Sequence, residues 1–207
     1  MINKIMYDNR FSDLEDRNRI WKILIKDFFQ KYINKNDSVL DYGSGYCEFI
    51  NNIFCKTKFA YDSDNSLKKY LGKDVRFLEN DKFPVNINKI FISNVFEHME
   101  KKDIVKTIGK FYKALKKGGQ VLVLQPNIRF CCRDYWMFFD HITPVDDRAL
   151  EEIFKVFKFK IVKKILQFLP YTTKNEMPKR SFLIKMYLRF PFIWRFFGQQ
   201  SFLVFEK

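Results

Sequence analysis

Residues 39 to 47 read Val-Leu-Asp-Tyr-Gly-Ser-Gly-Tyr-Cys. An apolar run that ends in an acid, Asp41, and then turns through Gly43 and Gly45 can bring bare backbone up against a ligand. A second apolar stretch, Lys58 to Tyr61, delivers Asp62 about twenty residues after the glycines. A carboxylate at a strand end can accept both hydroxyls of a ribose, so this spacing suits an adenosine-bearing cofactor. Charge narrows which one. A dinucleotide fingerprint needs a third glycine at position 48, where the helix's first amides face a pyrophosphate. Glu48 stands there instead. Its carboxylate repels a pyrophosphate and, with Asp41, favours a ligand carrying an ammonium and a sulfonium. The pattern selects S-adenosylmethionine over NAD.

Methyl transfer from a sulfonium is an in-line displacement, so the protein must orient the nucleophile and needs a base only for a hydroxyl. The chain has two histidines, His98 and His141. They follow the fourth and fifth expected strands, whose carboxyl ends line the ligand crevice of an open parallel sheet. Each can deprotonate an acceptor hydroxyl, with Glu97 or Asp140 as orienter, and His141 is the favoured base. The structural alternatives are a hydrogen-bonded Glu97-His98 pair and a loop anchor at His141. Asn94, just past the fourth strand, is either a cofactor contact or a turn former. Tyr7 and Arg10 can close over the cofactor or simply be solvated, and Asp64 reads as a helix cap. The four cysteines, Cys47, Cys55, Cys131 and Cys132, have no paired spacing, so reduced thiols are expected, with no metal centre.

The elements that must hold these residues follow from periodicity. Leu14, Trp21, Leu24, Ile25, Phe28 and Tyr32 recur at helical spacing and predict a helix before the first strand. Ile104, Ile108, Phe111, Tyr112 and Leu115 form another helical stripe, which should stop at Gly118-Gly119. Asp146 or Asp147 can cap a helix carrying Leu150, Ile153, Phe154 and Phe157. Phe159 to Ile165 then alternates as a sixth strand, and Phe202 to Phe205 is the last. Strand and helix alternate in the manner of a parallel sheet covered on both faces.

The motif at 39–47 resembles motif I of the class I S-adenosylmethionine-dependent methyltransferases, and further matches run in family order over residues 37 to 165. Val75 to Pro84 looks like the third strand and the loop beside the adenine, which implies Asn80 or Asp81 as a polar contact. Lys89 to Met99 is similar to the fourth strand with its trailing Glu-His pair. Leu115-Lys-Lys-Gly-Gly119 with Val121 to Pro126 resembles the family's glycine turn and fifth strand. Cys47 replaces the family's usual third glycine, and Lys117 the proline of the turn. The resemblance implies an α/β, Rossmann-like, seven-stranded mostly parallel sheet with the last strand as an antiparallel edge. It implies one domain over 1–207: a cofactor-covering helical segment at 1–36, a cofactor-binding core at 37–168, and a basic aromatic insert at 169–200. Tyr46 to Ile53, Tyr135 to Pro144 and Phe168 to Lys174 further resemble bacterial methyltransferases of surface-polysaccharide and lipid-linked glycan pathways.

At 207 residues, 47% hydrophobic and 18% aromatic, the chain can bury a full core. The segment opening with Met1-Ile2-Asn3-Lys4 is polar and charged with no apolar h-region, and no run of ~18 apolar residues occurs, so neither a signal peptide nor a spanning helix is expected, and the reading is cytoplasmic. With 38 basic residues against 24 acidic, the net charge of +14 points to an anionic partner. The lysines are spread along the chain without a nucleic-acid-binding signature, so nucleic acid is disfavoured. In the insert, Phe182, Met186 and Phe190 share one helical face with Lys185 and Arg189 on its flank. That profile suits a helix at an anionic membrane surface through 180–197, on the inner face, or one packing its aromatic face on the sheet. The expected function is methyl transfer from S-adenosylmethionine to a small-molecule acceptor, a sugar hydroxyl of a surface or lipid-linked glycan. The rivals are an RNA or protein methyltransferase and a catalytically silent scaffold.

Overall fold

The computed structural model describes residues 13–80, 82–171 and 181–207. Tyr7 and Arg10 lie outside them. Helix α1 (Leu14–Asp27) is capped by Asp13, whose carboxylate accepts the Asp16 amide. Its apolar face buries Ile23, Leu24 and Ile25 and stacks Trp21 on Phe29. Strand β1 (Ser38–Tyr42) follows, with Val39 and Leu40 fully buried, and a glycine turn leads into the short α2 (Glu48–Asn52). Strands β2 (Thr57–Tyr61) and β3 (Val75–Phe77) extend the sheet to one side of β1. To the other side lie β4 (Ile87–Ser93) and β5 (Leu115–Pro126), connected by α3 (Lys101–Ala114).

Beyond β5 the chain forms α4 (Ile128–Cys131), α5 (Asp147–Val156) and β6 (Lys160–Leu169). Asp146 caps α5, accepting from the amides of Arg148 and Ala149. Helices α6 (Ser181–Arg189) and α7 (Trp194–Phe197) then lead to β7 (Gln200–Glu206). The strand order is β3-β2-β1-β4-β5-β7-β6, parallel through β5, with β7 antiparallel to both neighbours. Side-chain alternation divides the core in two. Val39, Phe91, Leu122 and Val204 pack with α1, α2, α6 and α7 on one face, while Leu40, Ile90, Val121 and Phe205 pack with α3 and α5 on the other.

Three expectations change. The last strand is not the edge: β7 sits between β5 and β6, and β6 takes the edge. Burial explains the exchange, because Ser201 to Phe205 is covered on both faces whereas β6 exposes Lys160, Lys163 and Lys164, the charges an edge strand tolerates. Helix α3 stops at Ala114 rather than at the glycines, since Leu115 is already extended. Gly118, at φ +72°, instead forms a turn that exchanges backbone hydrogen bonds with Lys207, Gly118 donating to it and Gly119 accepting from it. Finally, α6 does not pack its Phe182–Met186–Phe190 face. It buries Ile184, Tyr187 and Leu188, with the Tyr187 hydroxyl on the Phe168 carbonyl at 2.6 Å, and Phe182 is 68% exposed.

Candidate active site

The carboxyl ends of β1, β2, β4 and β5 open into a cavity of about 590 Å³, roofed by α1 and by the insert. At one end stands the glycine turn. Gly43 and Gly45 both take positive φ, +74° and +51°, and a Cβ on Gly43 would come within 2.4 Å of Val95 Cγ2. Only glycine allows β1 to turn that tightly against the loop after β4. The Gly43 and Ser44 amides donate to the Tyr61 carbonyl, and the Gly45 amide to Asp62 Oδ2 at 2.9 Å. Asp62 Oδ1 accepts from the Asp64 amide, and Asp64 caps the following 3-10 turn as expected. Cys47 adopts φ +63°, ψ +19°, a conformation in which a glycine would be unstrained. Burial, then the neighbouring Asp41 charge, pushes its thiol up to about 12, so it is not a nucleophile near neutrality.

Acids crowd this end. Asp41 is buried, and burial first, then the charges of Glu48 and Asp62, hold its carboxyl well above the usual range. Burial also raises Asp62, against the lowering effect of the Asp64 and Gly45 amides. Arg17 on α1 donates from Nε to Glu48 Oε1 at 2.7 Å, which meets part of this negative charge. Asn94, at φ +53°, lines the same wall, and its buried Oδ1 has no hydrogen-bond partner. Asn80 belongs elsewhere: it is exposed, closes a local turn by accepting the Lys82 amide, and is not part of the cavity wall. Asp81 lies outside the described residues.

The other end holds both histidines. His98 ends a 3-10 turn after β4, with Nδ1 3.0 Å from the Asp140 carbonyl and 3.3 Å from Asp140 Oδ2. His141 is buried, its Nε2 3.1 Å from the Tyr171 hydroxyl and its ring edge-on to His98 at 4.8 Å. Thus Asp140 orients His98, while Tyr171 of the insert contacts His141. The loop that carries Asp140 and His141 is tied to the 3-10 turn after β4 by the Ile142 and Thr143 amides, which donate to the Glu97 carbonyl. Tyr135 fixes its far side, donating to the Thr143 carbonyl and accepting from the Val145 amide.

Residues 14–164 match the family model described as a methyltransferase domain. The chain belongs to that family. Its fold matches a SAM-dependent methyltransferase from Archaeoglobus fulgidus with a TM-score of 0.70 at 15% identity, covering 99% of each chain. A SAM-dependent methyltransferase from Thermotoga maritima gives 0.66 at 14% identity, covering 97% of this chain and 98% of that one. One from Mesorhizobium loti gives 0.61 at 11%, covering 86% and 95%. At such identities the likeness is one of fold. No curated protein sequence matches the chain.

The methyltransferase cavity suits S-adenosylmethionine, which supplies a methyl group on a sulfonium when bound. The buried Asp41 carboxyl, disfavoured as an anion by burial and by the charges of Glu48 and Asp62, is relieved by a cationic ligand, and the orphaned Asn94 oxygen is an acceptor for an ammonium. Asp62 has lone pairs left for ribose hydroxyls beyond the two amides it already serves. Two contributors escaped the sequence reading. Arg17 shares a helical face with Ile20, Trp21 and Leu24, so its position could have been read from the α1 stripe. Tyr171 sits thirty residues from His141 and carries no local signal of the contact. Nor does spacing reveal that Glu97, His98 and His141 converge, although no metal cluster was expected.

Proposed function

We propose that this methyltransferase modifies a sugar hydroxyl of a surface or lipid-linked glycan. The observation that carries the reading is the composition of the acceptor end. His98, Asp140, His141 and Tyr171 offer hydrogen bonds there, and among the described lining residues the only lysine or arginine is Arg17, which is engaged by Glu48. A neutral polyol suits such a wall better than a phosphate-bearing strand, which argues against an RNA acceptor despite the charge of +14. His141 serves as the base toward the acceptor hydroxyl, with Tyr171 setting its ring, and His98 with Asp140 flanks it. Asp41, Gly43, Gly45, Asp62 and Asn94 hold the cofactor.

The insert supports a lipid-linked acceptor. It contributes Pro170, Tyr171, Ile184 and Tyr187 to the cavity wall, while Phe182, Phe192, Phe196 and Phe197 are all more than 60% exposed beside Lys185, Arg189 and Arg195. Exposed aromatics flanked by cations suit the interface of an anionic bilayer. No helix of the described residues is long and apolar enough to cross one. In this reading the protein acts as a peripheral enzyme on the cytoplasmic face of the membrane.

The test is methyl incorporation from labelled S-adenosylmethionine into glycosides, lipid-linked sugars, RNA and a protein extract. Label in the sugar fractions supports the reading; label confined to RNA or protein replaces it, and none anywhere favours a silent scaffold. Joint replacement Lys185→Gln and Arg189→Gln should reduce sedimentation with anionic liposomes, and unchanged sedimentation removes the membrane surface.

A further inference from the structure

Glu97, His98 and His141 line the same end of the cavity, and one ligand atom of each lies within 4.8 Å of the others. Their remaining atoms are already held. The Asp140 carbonyl can only accept, so His98 Nδ1 carries the hydrogen of that 3.0 Å contact, and a neutral His98 presents its Nε2 lone pair. His98 Nε2 lies 3.9 Å from Glu97 Oε1. Glu97 Oε2 is taken by the Gln125 amide at 2.7 Å, which aims Oε1 inward, and the Tyr171 hydroxyl contacts His141 Nε2. Ring nitrogens and carboxylate oxygens fixed from behind by a carbonyl, an amide and a hydroxyl are the outer arrangement typical of metal ligands.

We propose that Glu97, His98 and His141 bind a divalent transition-metal ion, of the Zn²⁺, Co²⁺ or Mn²⁺ class. Two imidazoles and one carboxylate suit these ions, whereas Mg²⁺ and Ca²⁺ prefer oxygen ligands. Glu97 is 1% exposed, and an ion beside it supplies the positive charge that a buried carboxylate needs. The protein fills three positions and leaves the cavity side open for an oxygen of water or acceptor. A hydroxyl bound there would be acidified by the ion and release its proton to water at the open side of the cavity, so that His98 and His141 act as ligands and no histidine is needed as base. This deepens the reading of the acceptor end as a hydroxyl site and rests on it, but the test needs neither cofactor nor acceptor.

The experiment titrates the purified, metal-stripped protein with Co²⁺ alone, following visible d–d absorption and heat together. One equivalent should bind with absorption typical of nitrogen and oxygen ligation. Glu97→Gln and His141→Ala should each weaken it by ~10–100-fold, and Cys132→Ser, which removes the exposed thiol, should not. If Glu97→Gln fails to fold by circular dichroism, His98→Asn takes its place. Absence of binding up to millimolar Co²⁺, binding indifferent to these ligand variants, or binding lost in Cys132→Ser overturns the site. Those failures leave cofactor binding and methyl incorporation, measured separately, untouched.

Discussion

The two ends of the cavity are assembled by different means. At the end proposed for the cofactor, Asp41, Gly43, Gly45 and Asp62 come from one stretch of chain, and backbone amides of the glycine turn fix them to the neighbouring strand. At the end proposed for the acceptor, His98, Asp140, His141 and Tyr171 come from separate segments, and contacts spanning 42 and 30 residues hold them together. An end built from backbone conformation tolerates few substitutions in the turn and writes itself into local sequence. An end built from side chains can change its specificity by changing the insert, while the sheet beneath it stays the same.

Substitutions should therefore separate the two ends. The largest effect is expected from His141→Ala, which should lower turnover by ~10²–10⁴-fold while leaving cofactor affinity intact. Steady-state kinetics beside a cofactor titration reads both, and equal losses in the two would dissolve the division. Gly43→Ala should cost ~2–3 kcal/mol in thermal stability and weaken the cofactor, because the new Cβ meets Val95 at a positive φ. Adding Val95→Ala relieves the clash but not the strain, so it should recover part of that loss; no recovery would assign the whole cost to φ. Asp62→Ala should weaken S-adenosylmethionine by ~1–3 kcal/mol, since ribose and Gly45 contacts go together.

The smallest effect is a pH dependence. The Asp41 carboxyl is held above the usual range, and a cationic ligand prefers its charged form. Affinity should accordingly fall as pH drops through that raised value, and Asp41→Asn should flatten the curve. Calorimetry over a pH series checks this, and an equally steep curve in the variant would move the titration to another group.

The same contrast explains what the sequence made legible. Asp41, the glycines and Asp62 are placed by strand ends and by φ, so type and spacing sufficed to bring them to one end of the cavity; Cys47 takes a left-handed backbone in which a glycine would be unstrained. The place of β7 did not follow from its residues, because its apolar alternation suits any covered strand; the lysines of β6 held the missing clue. On α6 the aromatic stripe suited either a membrane surface or the sheet; Ile184, Tyr187 and Leu188 take the core side and leave Phe182 in solvent, which local spacing did not decide. Asn80 is exposed, and its Oδ1 accepts the Lys82 amide within its own loop. Convergence of Glu97, His98, His141 and Tyr171 depends on how three loops fold together, which no local pattern encodes.

The acids of the cavity favour a sulfonium over a pyrophosphate, with Glu48 where a dinucleotide site needs glycine. Parallel calorimetric titrations of the intact protein with S-adenosylmethionine and with NAD test that choice. Micromolar binding of S-adenosylmethionine and none of NAD is the predicted result. Binding of NAD with comparable affinity, or of neither, would contradict it.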